Sequence, residues 1–356
     1  FSQPAIATSL GSGGIFSSEG YIFTNAHVVN RASKIMVTLS DGSQHPADLV
    51  NVDVASDLAV IKVSIGKPLP FLTLGRSDDL MVGERAIAVG NPFGLSSSVT
   101  EGVISALHRD IGAEGRVIFK DILQTDALIN PGNSGGPLLN IFGEVIGVTT
   151  AMRADAQGIG FAIPIDRVKR SLAGLLDYRR ARRIRLGFEL EEKYVDTSPR
   201  TRLMIKSVDK NGPATASDLR PGDVITAIDG HRLSCVVDYM LALVTHETAS
   251  IRITVERNGK EFTANLTPVA VPKPDANKLA GEVLGLSVQQ MERGLARDVG
   301  IDIDKGVLIS GVKKGSSAEK GGLNRDDVIL QVNDTLTADL ESFALALEAS
   351  GGPMVS

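Results

Sequence analysis

The sequence predicts an all-β leading region, a sandwich or a barrel, followed by two smaller units that repeat one another. Three observations carry that prediction. Short alternating apolar runs separated by turn signals recur as far as Ile163, and the first helical periodicity comes only at Pro164 to Leu176. Beyond it, one offset of 104 residues, seen from Asp223 to Asp327, brings the chain back into register with itself.

The leading strands follow in order. Phe1 to Ser9 is small and polar without periodicity, Gly11-Ser12-Gly13-Gly14-Ile15-Phe16 opens the first strand, and Ser17-Ser18-Glu19-Gly20 turns it. Period-2 runs predict strands at Ile35 to Leu39, Ala47 to Val50, Leu58 to Val63, Arg85 to Val89 and Gly102 to Ala106. Asp41-Gly42, Lys67-Pro68 and Asn91-Pro92 punctuate them, and Val145 to Thr150 and Gly160 to Ile163 continue the series. The helix Pro164 to Leu176 sets Ile165, Val168, Leu172 and Leu175 on one face. It runs into the basic stretch Tyr178 to Arg185, which reads as a solvated linker.

The repeat then pairs Leu203-Met204-Ile205 with Val307-Leu308-Ile309, Gly222-Asp223-Val224-Ile225 with Asp326-Asp327-Val328-Ile329, and Tyr239 to Leu243 with Phe343 to Leu347. Each copy begins on a Leu-Gly-apolar step, Leu186-Gly187-Phe188 and Leu284-Gly285-Leu286. Those steps lie only 98 apart, from Gly187 to Gly285, so six extra residues are expected in the second copy within Arg293 to Gly300. The first copy ends in a hairpin, Ile253 to Arg257 and Glu261 to Leu266, about Asn258-Gly259. Its counterpart would begin one residue past Ser356. The second copy is therefore expected to lack its closing hairpin and to be less stable, in a chain cut short or with a tail lacking fixed structure.

Composition bounds the function. The chain has 356 residues, 43% apolar and 22% charged, enough for two or three domains. A net charge of −5 argues against nucleic acid as a partner. No apolar stretch reaches the roughly 18 residues of a membrane helix, so no integral membrane segment is expected. Trp is absent and aromatics make up 4%, so the cores must rest on Val, Ile, Leu and Ala. The lone Cys235 excludes an internal disulfide and reads as a small buried apolar residue. No His/Cys cluster has metal-ligand spacing and no phosphate-binding loop occurs, so no metal or other cofactor is expected. Phe1 is followed by no basic and apolar leader, so a targeting signal is expected to be absent or already removed.

Chemistry concentrates in Ile129-Asn130-Pro131-Gly132-Asn133-Ser134-Gly135-Gly136-Pro137-Leu138. A serine that attacks a carbonyl needs two N–H donors aimed at the developing oxyanion, and glycines let the backbone approach closely. The amides of Gly132 and Ser134 fit that need. Alone, the decapeptide fits a Gly-rich turn with an exposed serine equally well. Partners tip the reading: Tyr21 to Val29 carries His27 at the end of a β-prone run, and Ala55 to Val63 carries Asp57 at the mouth of an alternating strand. The order His27, Asp57, Ser134 is that of chymotrypsin-type enzymes, with Ser134 as nucleophile, His27 as base and Asp57 as its orienting partner. His45, His108, His231, His246 and Asp53 are weaker candidates by position. Thr24 and Asn25 read as strand-end polar groups.

Three stretches, Thr24-Asn25-Ala26-His27-Val28-Val29, Ser56 to Val63 and Gly132 to Leu138, resemble the HtrA family of serine proteases, and the likeness runs from about Gly11 to Arg170. The repeated units resemble PDZ domains in the HtrA arrangement, most tellingly in Leu219-Arg220-Pro221-Gly222-Asp223-Val224-Ile225. The resemblance implies an all-β chymotrypsin-like double β-barrel protease domain followed by two α+β PDZ domains. Its expected limits are a trypsin-like serine protease domain over 1–176, a basic linker over 177–185, PDZ domain 1 over 186–270, a linker over 271–282, and PDZ domain 2 over 283–356.

The resemblance also implies roles. The oxyanion hole would lie at Gly132, Asn133 and Ser134, and Asn91 to Ser98, Asn130 to Asn133 and Met152 to Gly158 would be loops that switch on activation. His108 to Phe119 would be the sensor loop, with Arg109 relaying a signal. The position that is acidic in enzymes accepting Lys or Arg is Leu128 here, and Ile129, Ile159 and Phe161 would line the rest of an aliphatic S1 pocket. Leu186, Gly187 and Phe188, and Leu284, Gly285 and Leu286, would bind peptide C-termini beside groove helices at Val236 to Val244 and Leu340 to Glu348. The first copy lacks the usual helix over Tyr194 to Arg202, which weakens its expected peptide affinity. The implied protein is an ATP-independent endopeptidase of unfolded or misfolded proteins in the bacterial periplasm, a homotrimer able to form larger cages. The alternatives are a chaperone or scaffold without significant proteolysis, and a regulatory protease cutting one partner.

Overall fold

The computed structural model describes residues 9–350 apart from 31, 92–97, 114–115, 153–157, 195–200, 247–248, 292–305 and 334. The chain forms two compact units, residues 1–182 with 186–269, and residues 183–185 with 270–356.

The first unit opens with β1 (Gly14–Ile15), β2 (Tyr21–Thr24), the one-turn helix α1 (Ala26–Val29), β3 (Ile35–Thr38), β4 (Gln44–Asp53) and β5 (Leu58–Val63), in a sheet ordered β1-β2-β5-β4-β3. Strand alternation explains why Tyr21-Ile22-Phe23 and Leu58 to Val63 are apolar nearly throughout. Ile22, Ala59, Ile61 and Val63 fill the core on one face, while Tyr21, Phe23, Leu58 and Val60 pack on the other. Each such side chain withdrawn from water contributes about 1.5–3 kcal/mol.

A closed barrel follows, built from β6 (Arg85–Gly90), β7 (Ser98–Ala113), β8 (Arg116–Thr125), β9 (Pro137–Leu139), β10 (Val145–Met152) and β11 (Gly160–Pro164) in the order β10-β11-β8-β7-β6-β9. Its interior holds Ala86, Ala88, Ala127 and Ala162 with Ile104, Leu123, Leu138 and Ile146, small residues that suit a narrow barrel. The strand expected at Gly102 to Ala106 is much longer. β7 and β8 pair in a long bulged ladder, and residues 108–113 and 116–119 of the expected sensor loop belong to these two strands.

α2 (Ile165–Leu175) starts at its N-cap Pro164 and lays Ile165, Val168, Leu172 and Leu175 against Phe23, Val60 and Val148. The stretch read as a solvated basic linker is partly ordered. Tyr178–Arg182 forms α3, and Tyr178 is buried. After β12 (Ile184–Arg185) come β13 (Phe188–Tyr194), β14 (Thr201–Val208), α4 (Pro213–Ala216), β15 (Val224–Ile228), β16 (His231–Arg232), α5 (Val236–Thr245), β17 (Ile251–Arg257), β18 (Lys260–Leu266) and β19 (Val269–Ala270). Five of these strands form a sheet ordered β13-β14-β15-β17-β18, with β16 attached to β15. Asn258 and Gly259 both have positive φ, as the two-residue hairpin turn requires.

The second unit contains α6 (Ala276–Val283), β20 (Leu286–Gln290), β21 (Val307–Val312), α7 (Ser317–Lys320), β22 (Val328–Ile329), β23 (Gln331–Val332), β24 (Thr335–Leu336) and α8 (Leu340–Ser350). α6 occupies much of the expected 271–282 linker and buries Ala280 in that unit's core with Leu286, Ile309, Phe343 and Leu347. β16 and β24, α4 and α7, and α5 and α8 all begin 104 residues apart, so the repeat read in the sequence is a structural one. The six extra residues expected within 293–300 lie outside the described residues.

Candidate active site

Asp57 sits just before β5, its amide bonded to the Val54 carbonyl at 3.2 Å and its backbone left-handed at φ 55°. Its carboxylate reaches α1. Oδ1 accepts the His27 amide at 3.0 Å, and both carboxylate oxygens lie 2.9 Å from His27 Nδ1. Asp57 is buried, whereas the His27 side chain is 51% exposed and open to a reacting group. The hydrogen bond that His27 donates to Asp57 raises the His27 pKa from its ordinary 6.5, partial burial opposes it, and the Asp57 charge adds to the rise. Thr150 Oγ1 donates to Asp57 Oδ2 at 2.8 Å, and Asn25 Nδ2 donates to the Asp57 carbonyl at 2.8 Å.

Ser134 lies in a loop anchored from two sides. Gly135 donates to Thr149 O at 2.8 Å, Thr149 donates back to Gly136 O at 2.9 Å, and Thr149 Oγ1 bonds Asn133 O at 2.6 Å. From the other side, Ser12 donates its amide to Ser134 O at 2.8 Å and its hydroxyl to Gly132 O at 2.7 Å. Gly135 has no alternative residue. Its φ is +87°, and a Cβ there would lie 2.3 Å from Ser12 O. Among the described residues, the amides of Gly132 and Ser134 have no acceptor, whereas the Asn133 amide is spent on Asn130 O at 2.9 Å. Of the three residues expected at the oxyanion hole, Asn133 therefore has no free backbone N–H to give. The Ser134 hydroxyl is directed at Thr150 O, a long bond of 3.4 Å, so Thr150 touches both Asp57 and Ser134.

The other expected residues are more scattered. Ile129 is buried in the barrel beside Gly160, where a Cβ would lie 2.5 Å from its Cγ1, and Phe161 is buried while Ile159 is half-buried. Leu128, expected at the base of a pocket, is 56% exposed. Of the two neighbours, it is Ile129 that packs into the barrel cluster with Ala127 and Ala162. Arg109 is exposed on β7 opposite Ile122, next to a His108–Asp121 contact of 2.6 Å. Of the three expected activation segments, 92–97 and 153–157 lie outside the described residues, as does 195–200 of the first repeat.

The two Leu-Gly loops share one geometry. Leu186 O accepts Ala214 N at 3.1 Å and Gly187 O accepts Asp209 N at 2.9 Å, while Leu284 O accepts Ala318 N at 3.1 Å and Gly285 O accepts Lys313 N at 2.8 Å. Gly187 and Gly285 have φ of +81° and +75°, and a Cβ on either would strike Pro213 or Ser316. Phe188 lies 6.4 Å, ring to ring, from Tyr239 of α5, which Tyr178 meets edge-on at 5.9 Å.

Thr150 is a contact of the site that reading the sequence did not single out, and Asn25 was read there only as a strand-end polar group. A threonine in a strand and an asparagine before a helix carry no distinctive signal; spatial neighbours 93 and 32 residues away give them their partners.

Comparison with known proteins bears on the whole chain. Residues 11–148 match a family model described as a trypsin-like peptidase domain, and residues 184–267 and 276–354 match models described as a PDZ domain. A Chlamydia trachomatis protein named probable periplasmic serine endoprotease DegP-like is 39% identical over 357 residues, covering 97% of this chain and 71% of that protein. The Escherichia coli periplasmic pH-dependent serine endoprotease DegQ is 35% identical over 338 residues, covering 91% of this chain and 72% of that protein. A solved structure of the HtrA-type protease AlgW with a tripeptide is 38% identical with a TM-score of 0.44, covering 75% of this chain and 91% of that one. By domain order and by identity to the DegP-like and DegQ relatives, the chain belongs to the HtrA/DegP family of serine endoproteases.

Proposed function

We propose that this protein is an ATP-independent serine endopeptidase that cuts unfolded or damaged proteins in the bacterial periplasm, with His27, Asp57 and Ser134 as its catalytic triad. The observation that carries the proposal is the buried Asp57 carboxylate bridging to a half-exposed His27, with Ser134 on a loop whose Gly132 and Ser134 amides have no acceptor among the described residues. Ser134 Oγ attacks the scissile carbonyl and His27 Nε2 takes its proton, later passing it to the leaving amine. Asp57 fixes the Nδ1–H tautomer and stabilises the imidazolium, while the two free amides bind the oxyanion. The Ser134 hydroxyl, now on Thr150 O, turns to His27 for this step, a tightening that substrate binding commonly brings. Ile129, Ile159 and Phe161 supply apolar surface for a small or medium aliphatic P1 side chain, since a basic one would be buried unpaired.

The protease domain is assigned to 1–176 and the PDZ domains to 186–270 and 283–356. The Leu-Gly loops would receive substrate C-termini, and peptide capture there would raise proteolysis. A homotrimer or larger cage and a role in protein quality control follow from family membership alone. A second reading, a chaperone that holds unfolded chains without cutting, is favoured by the Ser134 hydroxyl bonded to Thr150 rather than His27.

Cleavage of casein by the wild type and by Ser134→Ala, with and without a peptide ending in an apolar carboxylate, tests both readings. Cutting by the wild type alone, accelerated by the peptide, is the expected result. An inert wild type that suppresses aggregation and takes up no fluorophosphonate at Ser134 overturns it in favour of the chaperone.

A further inference from the structure

Asn25 is fully buried and stands at the N-cap of α1. Asparagine is favoured there because its side-chain oxygen accepts an amide of the first turn, yet this side chain makes no such bond. Its Oδ1 has no hydrogen-bond partner among the described residues. Leaving a buried amide oxygen unpaired is costly, and an apolar residue of similar shape would avoid that cost. The other end of the amide is the one that is bonded: Nδ2 donates across 32 residues to the Asp57 carbonyl at 2.8 Å. A carbonyl only accepts, so this contact also fixes which end of the amide faces it.

What Asn25 holds is a strained segment. Asp57 is one of the few non-glycine residues with positive φ, at +55°, a conformation that persists only where the surroundings impose it. The Asp57 carboxylate is spent elsewhere, on the His27 amide, His27 Nδ1 and Thr150 Oγ1. The peptide is held by its amide bond to Val54 and, through its carbonyl, by Asn25. We infer that Asn25 is a positioning residue, locking the Asp57 backbone in the left-handed conformation that presents one carboxylate to His27 and Thr150 together. This rests on the triad reading proposed above.

The test compares Asn25→Ala and the near-isosteric Asn25→Asp, which lacks the donor, with the wild type on a fluorogenic peptide that the wild type cuts. Active sites are counted by fluorophosphonate titration, so that rates are expressed per competent site. The expected result is a fall in kcat of about 10- to 100-fold with KM within about twofold, as for loss of orientation in a catalytic base. The acid limb of kcat/KM also moves to lower pH. Asp57 is the charged group that raises His27, and a slackened contact lets its pKa fall back toward 6.5. Variants that lose titratable sites but keep the wild-type kcat per site and acid limb overturn the inference, since Asn25 then serves folding only. If the wild type takes no label and Ser134→Ala cuts equally well, the triad reading fails first and takes this inference with it.

Discussion

The two PDZ repeats share a loop and part company along their groove helices. On the α5 side of the first, Cys235, Val237 and Leu241 are buried in one cluster with Leu172, Leu175 and Leu176 of the protease domain. The positions 104 residues on are Asp339, Glu341 and Leu345. Asp339 accepts the Ser342 amide at 2.7 Å, and Glu341 pairs in solvent with Lys273 at 2.7 Å. Acidic residues at two of three equivalent positions turn a buried face into a wet one. The conserved-looking part of each repeat therefore sets the fold, and a few face residues decide whether the copy is built into its neighbour.

A second contrast concerns the cores. Asp223 is 1% exposed and held by Arg257 of β17 at 2.7 Å, and Leu219 is 3% exposed. Their counterparts Asp327 and Leu323 are exposed, Leu323 by 37%.

The largest effect that could break this comparison is Val237→Asp. A carboxylate stranded among the α2 leucines is expected to cost about 3–5 kcal/mol, against about 0.5 kcal/mol or less for Glu341→Ala in the second copy. Calorimetric melts of the two variants check this, and equal costs would sink the idea that the helices differ in role. The difference in core exposure predicts that the second unit opens first. Pulsed proteolysis in rising urea should cut within 306–350 before it cuts within 201–266.

A smaller effect lies where β13 meets the protease domain. The Tyr194 hydroxyl bonds Asp166, its ring lies under the Arg76 guanidinium at 4.4 Å, and burial pushes its pKa well up, keeping it a donor. Tyr194→Phe removes that donor and is expected to cost about 1–3 kcal/mol. It should loosen the first repeat.

The protease site sharpens the comparison through pH. His27, raised above 6.5 by Asp57, is stabilised as the cation in the folded state. That contribution is complete below the unfolded value and is lost as pH rises through the raised folded value. Catalysis needs the neutral imidazole, so the acid limb of kcat/KM should lie above pH 6.5. Ser134→Ala should keep the stability trend while losing the activity. His246, its side chain 4% exposed and 2.5 Å from Asp229, is a histidine–carboxylate pair of the first repeat, outside the triad. His246→Gln should leave the acid limb in place, the smallest effect of the set.

Much of the molecule was legible in one dimension. Period-2 runs marked the strands, the face of α2 appeared as Ile165, Val168, Leu172 and Leu175, and Asn258-Gly259 marked its hairpin. The 104-residue offset announced the repeat. Three motifs in order named His27, Asp57 and Ser134 as candidates. Local pattern was less informative where partners are remote. Tyr178 lies in a basic run but buries its ring on Tyr239, and residues 108–113 and 116–119 lie on two paired strands whose length local pattern did not show. Leu128 and Ile129 are both aliphatic, and only the tertiary packing shows that one is buried and the other exposed.

By itself, then, the sequence determined the fold class, the order of the domains and the residue types of the site, because periodicity and turn chemistry act between near neighbours. Only the tertiary structure decided that Asn133 lacks a free backbone N–H, that Thr150 touches both Asp57 and Ser134, and that Asn25 spends its side-chain amide on a strained carbonyl. Those are contacts between segments distant in the chain, and a polar side chain declares its role only once burial has removed water as its alternative partner.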